Sequence, residues 1–198
     1  MKVTNNQEKA NAYKTQMARF KLARDQGFYY EAIFILYAMM EDRLSSFLLH
    51  AGVSNNNCNE LSRNIEVRQS LESIINVAAD KQIKLLKISI KAEIIQKLLT
   101  WAASQALENS SDTYATALAR QINQTAGKDE ILIILDKIQG WCKARNELVH
   151  ALMNKNLENQ EQELHSLVDD GYAHCRKLDN FVRSFKIRNN IHERFNIQ

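Results

Sequence analysis

The stretch Ile131-Leu132-Ile133-Ile134-Leu135-Asp136-Lys137-Ile138-Gln139-Gly140-Trp141-Cys142-Lys143-Ala144-Arg145-Asn146-Glu147-Leu148-Val149-His150-Ala151-Leu152-Met153 decides how this sequence folds. Its residues Ile131, Ile134, Leu135, Ile138, Cys142, Val149, Leu152 and Met153 recur at a spacing of three and four, which places them on one face of an α-helix. A second stripe with the same spacing runs through Leu164, Leu167, Val168, Cys175, Leu178, Val182 and Phe185. The polar stretch Asn154 to Gln162 lies between them, so the pair predicts an antiparallel helical hairpin.

Working outward, Phe28 to His50 carries Ile33, Leu36, Tyr37, Met40, Leu44, Phe47 and Leu48 on one side, between Gly27 and Gly52, and predicts another long helix. Tyr13, Met17 and Phe20 form a shorter amphipathic stripe before it. Ser54 to Asn59 is Asn-rich and predicts a loop. Ser62 to Ala79 and Asp112 to Thr125 read as helices, the second preceded by the capping-prone Asn109-Ser110-Ser111. Lys81 to Leu99 is ambiguous, because Ile83, Leu85, Leu86, Ile88 and Ile90 suit a short strand or a helix start; the run Ala92 to Leu99 favours helix throughout. On that helix Lys81, Lys84, Lys87 and Lys91 would share about a third of the circumference, either as a solvated face or as a phosphate-tracking stripe.

Composition supports this pattern. The 198 residues include 5 glycines and no proline, and 45% are hydrophobic, which disfavours the many tight turns of an all-β fold. The expectation is an all-α bundle of about five to seven helices in one domain, 1–198. An N-terminal helix at about 5–25 would pack on a core at about 27–188.

With 26 basic and 23 acidic residues the formal charge is +3, which neither demands nor excludes a nucleic-acid partner. The end of the chain is more basic, with Arg176, Lys177, Arg183, Lys186, Arg188 and Arg194 against Asp179 and Glu193. That excess reads either as a solvated helix end or as a phosphate-facing surface. Cys58, Cys142 and Cys175 match no disulfide framework or zinc spacing, so no metal or other cofactor is expected. Met1 to Glu8 lacks the apolar run of a signal peptide, and Ala32 to Met40 is far shorter than the roughly 20 residues that span a bilayer. The expected location is the cytoplasm, with no membrane partner.

One residue breaks the apolar pattern. On a helical wheel Arg145 falls in the middle of the stripe formed by Ile134, Ile138, Trp141, Val149 and Leu152. A guanidinium cannot neutralise itself, so its burial calls for an anion. Either a core carboxylate supplies one, with Glu41 the candidate, or the face opens into a cleft that takes an anionic ligand. Lys143, Asn146 and His150 lie within roughly 60° of one another on an adjoining side. His150 is about 140° from Arg145, so both address one ligand only across the helix edge, through a bend, or with a second subunit.

Arg145-Asn146-Glu147-Leu148-Val149-His150 resembles the signature of the HEPN superfamily of small helical domains: Arg, a polar residue, then His after four to six intervening positions. Trp141-Cys142-Lys143-Ala144 before it, the polar break and last helix after it, and Gly27 to Ala32 with Tyr37 and Glu41 are similar to the same family. The resemblance extends from about Gly27 to Arg188. It implies a metal-independent RNA endonuclease in which two copies of the motif meet across a homodimer interface. Arg145 would bind the scissile phosphate, His150 would act as general acid or base, and Asn146 would orient either group, with Lys143 as a further substrate contact. Attack by the RNA's own 2′-hydroxyl would leave a 2′,3′-cyclic phosphate and spare DNA. The resemblance also implies a toxin or host-defence role with a cognate antitoxin or regulatory protein, although Ala151 and Leu152 follow His150 where one toxin subclass carries a modified Tyr. Other members are non-catalytic, so a scaffold with a buried Arg145 ion pair, or a nucleotide-binding regulatory domain, are the alternatives.

His50, His165, His174 and His192 have no Cys or carboxylate at metal-ligand spacing and read as surface or helix-end residues. No phosphate-binding Gly-rich loop, serine nucleophile elbow or His-Glu-x-x-His helix is present.

Overall fold

A computed structural model describes residues 6–55, 60–76, 84–85, 87–104, 113–151, 161–188, 191 and 195. Among these residues the secondary structure is all-helical apart from two isolated β-bridges. The helices are α1 (Asn6–Asp25), α2 (Tyr29–His50), α3 (Ile65–Ile75), α4 (Ile88–Ser104), α5 (Thr113–Gln124), α6 (Lys128–Ala151) and α7 (Glu161–Arg188).

The two stripes that opened the reading become α6 and α7, joined through residues outside the described set. Lys177 Nζ meets Glu130 Oε1 at 2.6 Å, and the Trp141 indole N–H donates to the Leu167 carbonyl at 2.7 Å. As numbers rise on one helix they fall on the other, so the pair is antiparallel. Gly171 is what lets them approach: a Cβ there would sit 2.7 Å from Trp141 Nε1, well inside contact distance.

Helix α2 lies along α7 in parallel, and it is the central element of the bundle. His165 packs edge-on to Tyr29, Asp179 pairs with Arg43, and Phe181 stacks on Phe47 while Phe185 is tilted against it, all at nearly constant sequence offset. The stripe on α2 is buried accordingly, with Leu36, Met40, Leu44, Phe47 and Leu48 fully enclosed. Gly27 and Gly52 bracket this helix with φ of 75° and 76°, left-handed values that suit glycine. Helix α1 folds back onto α2, tied by Lys9 to Asp42 at 3.0 Å, while Arg24 reaches Asp169 of α7 at 2.7 Å.

Helices α3, α4 and α5 close the other side. Gln139 of α6 donates to Gln96 of α4, Tyr114 of α5 donates to the Ala51 carbonyl, and Gln121 of α5 donates to the Phe185 carbonyl. Helix α3 is shorter than the predicted span Ser62 to Ala79. The Asn64 side chain caps its start by accepting from the N–H groups of Glu66 and Val67, and Asn76 in the left-handed region ends it.

The reading of Lys81 to Leu99 as one helix is corrected. Lys84 forms an antiparallel bridge with Glu60, Leu85 is buried outside any helix, and α4 starts at Ile88. Tertiary pairing to the segment around Glu60 holds this chain out of the helix. The lysine stripe falls with it, because Lys91 is buried at 3% exposure. Ser54, in the predicted Asn-rich loop, pairs with Leu61, while 56–59, 109–111 and 154–160 lie outside the described residues. Among the described residues no helix is long and apolar enough to cross a membrane.

Candidate functional site around Arg145

Along α6 the residues Ile131, Ile134, Leu135, Ile138, Trp141 and Cys142 are buried, and Arg145 continues that face where it meets the surface. The residue is half-buried, and its guanidinium lies over two rings of α2, 4.6 Å from the centre of Tyr37 and 5.0 Å from that of Phe34. Phe34 and Tyr37 are three apart, hence neighbours on one helical face, and their π-clouds supply the negative potential that a cation seeks. Arg145 Nη1 donates to Asn146 Oδ1 at 2.8 Å, while Nε is buried with no hydrogen-bond partner.

No carboxylate answers this charge among the described residues. The expected internal partner, Glu41, is engaged elsewhere: its Oε1 accepts from Lys91 Nζ at 2.9 Å, and the same ammonium donates to Ser45 Oγ at 2.8 Å. An Arg145–Glu41 ion pair is therefore corrected to a Lys91–Glu41 pair. The physical reason is burial, since a lysine that is 3% exposed has more to gain from a carboxylate than a guanidinium already resting on two rings.

The neighbouring acids stay protonated. The Tyr37 phenol is pushed upward from its ordinary pKa of 10.0 by burial, then by Glu41 and Cys142, against an opposing pull from Arg145. Burial likewise raises the Cys142 thiol to about 11, again opposed by Arg145. Neither group offers a thiolate or phenolate near neutral pH, so neither supplies a counter-ion to Arg145 or a ready nucleophile.

The structure brings Arg145 and Asn146 together and keeps the other two predicted site residues apart from them. Lys143 and His150 are exposed, and neither has a hydrogen-bond or ion-pair partner among the described residues. Helix α6 runs unbroken from Lys128 to Ala151, so the separation of about 140° between Arg145 and His150 stands within one chain. Phe34 was absent from the sequence reading. At 48% exposure on the flank of α2 it escapes a search for buried stripes, and only its i, i+3 relation to Tyr37 could have signalled a ring pair.

The remaining charged groups are mostly committed to the fold. Arg183 pairs with Asp179 at 3.0 Å, Lys177 with Glu130, and Arg176 lies over its neighbour Tyr172. His165 faces Asp169 at 3.5 Å. His174, expected at the surface or a helix end, is instead in the middle of α7 and half-buried with an unpartnered Nδ1, and burial lowers its pKa. His192 and Cys58 lie outside the described residues. Among the described residues no three His, Cys, Asp or Glu side chains cluster as a metal site would need. Set against family models, curated proteins and solved structures, the chain matches none of them.

Proposed function

We propose that this chain is a metal-independent RNA endonuclease of the HEPN type, acting as a homodimer and serving as a toxin or host-defence effector held by an antitoxin or regulatory protein. The observation that carries the reading is the guanidinium of Arg145, half-buried, aligned by Phe34, Tyr37 and Asn146, and without a carboxylate partner among the described residues. A cation fixed in this way is prepared for an anion that arrives from outside, and a planar guanidinium matches the oxygens of a phosphodiester.

In this reading the substrate's 2′-oxygen attacks phosphorus and gives its proton to one imidazole, while the 5′-oxygen leaves with a proton from the other. The products are a 2′,3′-cyclic phosphate and a 5′-hydroxyl. Arg145 binds the phosphate and stabilises the charge that builds on it, Asn146 holds the guanidinium, and Lys143 contacts the flanking backbone. In this reading a second copy closes the angle between Arg145 and His150 on α6, its His150 approaching the first copy's Arg145 across the interface.

The test is cleavage of single-stranded RNA in excess EDTA by the native chain, Arg145→Ala and His150→Ala, with an all-deoxy strand as control. Each variant should lose at least about 100-fold, and the deoxy strand should remain intact. Equal cleavage by all three proteins would remove the assignment.

A further inference from the structure

Phe34 belongs to two surfaces at once. Its ring centre is 5.0 Å from the Arg145 guanidinium, and the same side chain lines an open groove of about 810 Å3 between α1 and α2. That volume falls within the roughly 300–1,000 Å3 typical of small-molecule sites. The helical wheel explains the double role. Around α2, Tyr37 lies about 60° to one side of Phe34, where Arg145 rests, while Glu31 and Ala38 lie about 40–60° to the other side, in the groove. At 48% exposure the ring is a wall shared by the cation and the hollow.

The polar groups of the groove differ from one end to the other. At one end they are already answered: Lys9 and Arg43 pair with Asp42, and Tyr13 lies beneath Arg43 and shares a hydrogen bond with Cys175. Helix α1 runs back along α2 from Lys9 opposite Asp42, so Gln16 falls about level with Ile35, close to Phe34 and Glu31. Gln16 and Glu31 both line the groove, and neither has a hydrogen-bond or ion-pair partner among the described residues. The end next to Arg145 thus combines an open aromatic ring, a carboxylate and an amide.

We infer that this end of the groove takes an unpaired guanine base of an RNA strand whose adjoining phosphate sits on Arg145, an inference that rests on the nuclease reading above. The base stacks on Phe34, as unstacked bases do on aromatic side chains. Its N1–H and N2 amino group point the same way and match the two oxygens of the Glu31 carboxylate, while Gln16 offers its amide N–H to O6. Adenine and cytosine present one amino group beside a ring acceptor, and uracil one N–H between two carbonyls, so each of them sets an acceptor against the carboxylate. An unpaired carboxylate also repels the phosphates that Arg145 attracts, and only a base edge with two donors offsets that repulsion.

The experiment is fluorescence anisotropy of the full chain with labelled short uridine strands carrying one central guanosine, inosine or adenosine. Every sugar is 2′-fluoro, so the attacking hydroxyl is absent and binding is read without cleavage. The guanosine strand should bind at least about tenfold more tightly than the inosine strand, which lacks the N2 amino group, and than the adenosine strand. Annealing a complement should remove that preference, and free guanosine monophosphate should bind at least about tenfold more weakly than the strand. Glu31→Gln should abolish most of the preference. Phe34→Leu should weaken the guanosine and adenosine strands alike by roughly tenfold, with Phe34→Trp restoring them, and Arg145→Ala should weaken every strand while keeping the ratio. Absent binding, equal affinity for the three strands, a preference that survives Glu31→Gln, or free nucleotide bound as tightly as the strand would overturn the inference. Cleavage of ordinary RNA without guanine preference would remove this pocket alone, whereas guanine-selective binding without cleavage would remove the nuclease reading alone.

Discussion

Replacing Glu41 and replacing Arg145 should have very different consequences for stability, and the difference tests which cation the carboxylate serves. Lys91 is 3% exposed and donates to Glu41 Oε1 at 2.9 Å and to Ser45 Oγ at 2.8 Å. Glu41→Ala removes its only charged partner among these two and strands a buried ammonium, a loss of about 3–5 kcal/mol for a fully enclosed pair. Glu41 itself is 36% exposed, and Ser45 remains, so about 2–3 kcal/mol is the better expectation. At roughly 2–4 °C per kcal/mol for a chain of this size, the unfolding midpoint should fall by about 4–12 °C. Arg145→Ala removes two ring contacts worth about 0.5–1 kcal/mol each, but it also removes a buried Nε that has no partner, which returns about 1 kcal/mol. Its net cost should lie between about 0 and 1 kcal/mol. The assay is urea denaturation of the single variants and of two double-mutant cycles. Coupling should exceed about 1.5 kcal/mol for Lys91 with Glu41 and stay below about 0.5 kcal/mol for Arg145 with Glu41. A coupling of 1 kcal/mol or more, by the ~0.3–0.5 kcal/mol additivity standard, between Arg145 and Glu41 would refute the reasoning and with it the open guanidinium on which the nuclease reading rests.

Two further outcomes are expected. Gly171→Ala places a methyl group 2.7 Å from Trp141 Nε1, so it should destabilise by about 1–3 kcal/mol despite alanine's helix propensity and should alter indole fluorescence, whereas an unchanged midpoint would mean that α6 and α7 separate freely. His174 has its folded pKa lowered from 6.5, chiefly by burial, with Lys137 and Lys177 adding to that shift and Asp170 opposing it. Below 6.5 the unfolded chain therefore binds the proton first, so stability should fall as pH drops from about 6.5 toward the folded value, and His174→Gln should flatten that slope in denaturation curves measured at several pH values.

Much of the helical framework was legible in the sequence because helix periodicity is local. Apolar residues three and four apart must share a face wherever the chain goes, so α2, α6 and α7 could be read from Ile33 to Leu48, Ile131 to Cys142 and Leu164 to Phe185. The same rule marked Arg145 as a cation on an apolar face, whereas its hydrogen bond to Asn146 appears only in the structure. What one helix does to another is not periodic. Lys91 and Glu41 are 50 positions apart, Phe34 and Arg145 more than 100, and nothing in the spacing of either pair announces contact. Lys81 to Leu99 shows the same boundary in the backbone: its propensity favoured helix, but pairing of Lys84 with Glu60 delayed the helix to Ile88. Sequence periodicity thus settled which faces are apolar, whereas folding decided which charge meets which partner, because desolvation ranks the competing ion pairs only once burial has been assigned.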